Sequence, residues 1–227
     1  MVLTETNDAT GLTELLSEVL PHATPRALGR LILGADLQAA RIALEQRDRL
    51  VDTALSDGEA MARVAAARWG HDPDVIAQQI GLPVIDSPEE GGYGSIVVYA
   101  EYGGRPPRIV LYRPALDRLD RQLAHAGTGE LLGVAMARPV YLAHELYHHF
   151  DLARGEGSIA QRSRVALFQL GRFRWTSSVA ALAEIAAGAF AQRLLGLRFH
   201  PKLLDLLAAY EADPASAHRI AQALATV

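Results

Sequence analysis

Cysteine is absent from the 227 residues. That excludes disulfides and thiolate metal ligands, so a metal site in this chain has to be built from His, Asp or Glu. An excess of basic charge is also lacking: the formal net charge is −4. Basic residues alternate with acids, as in Arg47-Asp48-Arg49 and across Asp117, Arg118, Asp120 and Arg121, the pattern of solvated helix faces. No direct nucleic-acid partner is expected. No apolar run reaches the roughly 18 residues of a membrane span. The longest, Val179 to Leu197, contains Glu184, Gln192 and Arg193 and reads as a buried helix, so no membrane partner is expected. The first ten residues carry Glu5 and Asp8 and no Lys or Arg, unlike a secretory signal, which makes a cytoplasmic location the expectation. Gly91, Gly92 and Gly94 do not follow a phosphate-binding pattern at a strand-to-helix junction, which argues against a nucleotide site.

Half of the residues are hydrophobic, enough for a sizeable core. Helical spacing dominates the first eighty residues. Leu12, Leu15, Leu16, Val19 and Leu20 recur with it before Pro21, and Ala35 to Leu55 follows the same period. Asp57 is a candidate cap for a further helix up to Trp69, and Asp72-Pro73 for a short one ending at Gly81. The middle is β-rich: Ser95 to Tyr102 and Arg108 to Tyr112 read as adjacent antiparallel strands joined by Gly103-Gly104-Arg105-Pro106-Pro107. Helix returns at Pro114–Ala124, Arg138–Leu152, Trp175–Leu197, Pro201–Tyr210 and Pro214–Ala225. The expected fold class is α+β, mostly helical with a small antiparallel sheet. Residues 1–60 would form an N-terminal helical arm or subdomain, 61–200 the main domain, and 201–227 a helical tail packed on it.

The chemistry lies in His144-Glu145-Leu-Tyr-His148, an H-E-x-x-H sequence on a predicted helix. Residues i and i+4 share a helix face, so both imidazoles can reach one ion. Glu145, one residue on, points beside the metal, where it can take a proton from water. The surrounding segment is apolar, and two buried imidazoles beside a buried carboxylate are costly without partners. A zinc site of this kind needs a third protein ligand. Position 154, where a third His would stand in one related pattern, is Arg. Glu156 lies in a loop-like Arg-Gly-Glu-Gly stretch. Asp151, one turn past His148, is better placed to accept from a ligating imidazole than to bind metal. Glu184, the only acid between Val179 and Phe190, is the best candidate, because the Ala and Gly around it allow its helix to come close. Tyr147, His149, Tyr93 and His125 are unranked candidates for the donor to a developing oxyanion.

His144-Glu145-Leu-Tyr-His148 followed by Glu184-Ile-Ala-Ala187-Gly-Ala-Phe190-Ala191-Gln-Arg-Leu194-Leu195 resembles the ImmA/IrrE family of metallopeptidases, which pairs H-E-x-x-H with E-x-x-A-x-x-F-A-x-x-L-L. The resemblance covers roughly residues 60 to 200. It implies a zincin-like, gluzincin-type core, Glu184 as third zinc ligand, and site-specific cleavage of a protein such as a regulator. Gly188, often Asn in the family, and His149, usually apolar, depart from the pattern and bear on the substrate. The expected function is zinc-dependent hydrolysis of a peptide or protein substrate. The alternatives are a non-proteolytic regulatory or sensing protein that retains the zinc site, and a metalloenzyme acting on a small molecule.

Overall fold

Prolines and short polar residues set where the helices begin. The computed structural model describes residues 3–93, 96–124, 127–170 and 172–225, and their side chains except those of 3–10, 93, 165–170, 174 and 175. Helix α1 (Leu3–Val19) ends ahead of Pro21 and buries Leu12, Leu15, Leu16 and Val19. Helix α2 (Pro25–Ala35) has its proline in the first turn, where no N–H is needed, and the Thr24 hydroxyl accepts from the Ala27 amide at 3.1 Å. A 3-10 turn over Ala39–Arg41 leads into α3 (Leu44–Trp69). The sequence suggested two helices here, the second capped by Asp57; the chain instead runs through as one. The Asp57 carboxylate is taken by Arg154 and Arg162 from distant segments, so it does not compete for its own backbone. Asp72 does cap α4 (Pro73–Gln79), accepting from the amides of Asp74 and Val75 at 2.9 and 3.2 Å.

The strands follow as β1 (Val84–Ser87), β2 (Gly92–Tyr93), β3 (Ile96–Val97), β4 (Ala100–Gly104) and β5 (Pro107–Tyr112). The β4–β5 hairpin is present, with Ala100 opposite Leu111 and Gly104 opposite Pro107. The sheet is not purely antiparallel, however. β1 lies parallel to β5, Val84 opposite Ile109, giving a mixed sheet of order β1-β5-β4. β5 carries the fully buried Ile109 and Leu111 and is the central strand, so both of its edges have to be paired. The stretch read as one strand up to Tyr102 is broken: β3 pairs with β2 in a separate ribbon, and Tyr99 sits in a bend before β4. Ser95 lies outside the described residues.

Helices α5 (Arg113–Ala124), α6 (Thr128–Leu132) and α7 (Arg138–Ala153) come next, then a 3-10 turn at Gly155–Gly157 and the short α8 (Ile159–Arg162). β6 (Val165–Leu170) and β7 (Phe173–Ser177) form an antiparallel hairpin where the sequence suggested a helix from Trp175. β-branched and aromatic residues, among them Val165, Phe168, Phe173, Trp175 and Thr176, explain the preference. Helix α9 therefore begins only at Ala180 and runs to Leu195. A 3-10 turn at Pro201–Leu203, α10 (Leu204–Ala212) and α11 (Pro214–Ala225) complete the described chain. None of the described helices is long and apolar enough to cross a membrane.

One hydrophobic core joins Leu12 and Leu16 of α1, Val51 and Ala54 of α3, Leu142 and Leu146 of α7, and Ile185 and Phe190 of α9. α3 runs unbroken across residue 60 inside it. It lies close against α9 at Gly58, where an added Cβ would stand 2.0 Å from the Ala186 carbonyl oxygen and 3.0 Å from the Phe190 nitrogen. Only backbone lies in the way, and backbone cannot rotate aside. Gly58→Ala is therefore expected to force α3 and α9 apart at a cost of about 3 kcal/mol, visible as a lower urea midpoint. An unchanged midpoint would mean that the two helices are not packed at this distance.

Candidate metal centre

α7 begins with Pro139 in its first turn and presents His144 and His148 one turn apart on one face. Their Nε2 atoms are 3.2 Å apart. α9 brings the Glu184 carboxylate to the same point: Oε2 lies 3.2 Å from His144 Nε2, and Oε1 lies 3.5 Å from His148 Nε2. Two imidazoles and one carboxylate thus converge from two helices, His144 and Glu184 being 40 residues apart in the chain. Ligand atoms at roughly 2.0–2.1 Å from a tetrahedral zinc would be about 3.3–3.4 Å from one another. The observed spacings match, and the donor set of two imidazoles and a carboxylate suits zinc.

Glu145 is 7% exposed and lies beside this point. Ligand atoms of His144, Glu145 and His148 all fall within 4.8 Å of one another, so this trio also could hold a metal ion. Glu184 is the nearer carboxylate to both imidazoles.

The electrostatics reflect the crowding. Burial pushes the Glu145 carboxyl up to about 7; the His144 ring opposes this, while the charge of Glu184 adds to it. Burial and the neighbouring His144 push His148 down to about 4. Burial also disfavours a charged His144, but its hydrogen bond to Glu184 and the charges of Glu184, Glu145 and Asp205 together raise it. Glu184 is lowered to about 2: burial alone would raise it, and the His144 hydrogen bond with the charges of His144, His148 and Lys202 outweighs that. Its side chain is 53% exposed to solvent on the open side of the site, while the two imidazoles close the other.

The site forms part of a cleft of about 660 Å³. Val97 to Ala100, leading into β4, line one side, and Lys202, Asp205 and Ala209 line the other. Tyr141 lines it one turn ahead of His144, with its ring stacked on Tyr99 at a centroid distance of 4.8 Å. The wall from Lys202, in the 3-10 turn at Pro201–Leu203, onward carries no functional motif in the sequence. The one sequence signal there is His200 ahead of Pro201, and it is a helix-start signal: His200 Nδ1 accepts from the Lys202 amide at 3.2 Å. His200 also explains Gly188. A Cβ there would be 2.3 and 2.4 Å from ring atoms of His200, so this small residue admits the imidazole and not α7.

Two sequence candidates change place. Tyr147 is fully buried and its hydroxyl donates to Asp57 at 2.7 Å; His149 Nδ1 is 3.2 Å from the Tyr102 hydroxyl. Both side chains are thus engaged by neighbouring groups, Tyr147 by a carboxylate and His149 by a phenol. The Tyr93 side chain and His125 lie outside the described residues. Asp151, expected to accept from a ligating imidazole, instead accepts from the Ile159 amide at 2.9 Å and pairs with Arg154. It closes the C-terminal end of α7. No protein-family model, curated protein or solved structure matches the chain.

Proposed function

We propose that the chain is a zinc-dependent metallopeptidase, with His144, His148 and Glu184 holding the ion and Glu145 as general base. The observation that carries this reading is the convergence of the two Nε2 atoms and the Glu184 carboxylate at 3.2–3.5 Å in an open cleft, with a buried carboxylate beside them. Bound zinc would supply Lewis acidity toward the scissile carbonyl and make water a better nucleophile near neutral pH. The chain's own residues do the rest. Glu145 takes the proton of the attacking water and returns it to the leaving amine. Its enclosure by α7 and β4 keeps bulk water from competing for that proton. Among the described residues β4 stands at the end of the sheet order β1-β5-β4, and Ala100 at its start lines the cleft, so an extended peptide added along that edge would lie across the site. The likeness of the two motifs to ImmA/IrrE metallopeptidases supports the same reading and a protein substrate cut at one place.

The test is metal content with activity. Purified chain is expected to hold about one zinc per molecule, and His144→Ala or His148→Ala to lose it. Hydrolysis of a peptide library should stop on chelation and return with zinc. Zinc fully retained in either histidine variant, by elemental analysis, would refute the site. Stoichiometric zinc without cleavage of any peptide or protein would favour the regulatory alternative.

A further inference from the structure

Asp57 lies on α3, a helix that contributes no residue to the metal cleft, yet its carboxylate is among the most heavily engaged groups in the protein. It accepts from the Tyr147 hydroxyl at 2.7 Å, from Arg154 Nη1 and Nη2 at 3.0 and 2.7 Å, and from Arg162. Its side chain is 10% exposed. Arg154 in turn pairs with Asp151, so two acids and two guanidinium groups balance beneath α7. Tyr147 is the residue before His148, is fully buried, and packs its ring against Phe190 of α9 at 5.9 Å. The next residue along α3, Gly58, is the one that lets α3 come against the Ala186 carbonyl of α9, two residues past Glu184.

Adjacent residues of α3 therefore hold both helices that carry the site. Side chains at neighbouring helix positions project about 100° apart, so fixing the Tyr147 hydroxyl fixes the rotation of α7 about its axis. That rotation decides where His144 and His148 point. Metal ligation tolerates only about 0.2 Å of error in ligand distance, and a small rotation of α7 would move both imidazoles away from Glu184 together.

We infer that Asp57 is a positioning residue of the metal centre, acting on His148 and His144 through Tyr147. The inference rests on the metal site proposed above. It assigns to α3 a role in metal affinity that the cleft itself does not show.

Two variants of the full chain test it. Tyr147→Phe removes one hydroxyl and keeps the packing; Asp57→Asn removes the charge. Zinc affinity is read by competition with a fluorescent chelator, and ligand arrangement by the visible absorption of the cobalt-substituted protein. Tyr147→Phe is expected to weaken zinc binding about tenfold and Asp57→Asn up to about 100-fold, both with a shifted cobalt spectrum and with the circular dichroism of metal-free Tyr147→Phe unchanged. A purely structural role would lower the melting temperature and leave the cobalt spectrum in place, and that result overturns the proposal. Because Asp57→Asn removes the acid of Arg162 and one of the two that pair with Arg154, it can unfold the chain; Tyr147→Phe then decides. Parental zinc affinity and spectrum in a folded Tyr147→Phe protein also overturn it, while leaving the metal site standing. A parent chain that binds no zinc removes both.

Discussion

Glu145→Gln is expected to keep its zinc and to lose peptide hydrolysis by about 10³-fold. Gln has the size and helix propensity of Glu, so α7 should be undisturbed. It keeps a polar group in a place where only 7% of the residue meets solvent, and so avoids an empty polar pocket. What it cannot do is take up a proton from water. Retained zinc is as informative as lost activity. The ligand atoms of Glu145 and the two histidines lie within 4.8 Å of one another, so Glu145 competes with Glu184 for the role of third ligand. If Glu145 were that ligand, zinc would go with it. Elemental analysis and a peptide-cleavage assay on the same preparation separate the two roles. Parental turnover in Glu145→Gln would end the general-base assignment.

Glu184→Ala is expected to weaken zinc binding by more than about 100-fold, beyond what loss of an outer hydrogen-bond partner brings. Glu184 is the carboxylate nearest to both imidazoles, at 3.2 and 3.5 Å, and a bound ion would link α9 to α7 through it. Losing it should also remove the rise in melting temperature that zinc gives the parent, because binding to the folded state stabilises it. Asp151→Ala provides the contrast. Asp151 is 4% exposed, accepts from the Ile159 amide and pairs with Arg154, so its loss leaves a half-buried guanidinium short of one acid. That should cost about 3 kcal/mol of stability, with zinc affinity far less affected than in Glu184→Ala. Unchanged zinc affinity in Glu184→Ala, or a greater loss in Asp151→Ala, would reassign the third ligand.

The local part of the site was legible because helix geometry is local. Once Val140–Phe150 is helical, spacing alone puts His144 and His148 side by side and Glu145 next to them, whatever the rest of the chain does. The caps at Thr24 and Asp72 and the β4–β5 hairpin followed from the same short-range chemistry. Misreadings fell where partners are remote. Asp57 has the composition of a cap, but its donors come from residues 90 to 105 positions further on, and they turn it into an internal anchor. Tyr147 carried the look of a catalytic phenol until that same anchor claimed its hydroxyl. β1 joined the sheet in parallel because β5 needed a second neighbour, which no residue of β1 announces.

By itself, then, the sequence determined the donor types, since a chain without cysteine can offer a metal only nitrogen and oxygen, and it determined one face of one helix. Tertiary structure decided that Glu184 completes that face, that Gly188 serves His200, and that α10 forms the far wall of the cleft. These depend on how α3, α7 and α9 pack. Packing is fixed by close contacts such as Gly58 against the Ala186 carbonyl, between residues that the chain order keeps far apart.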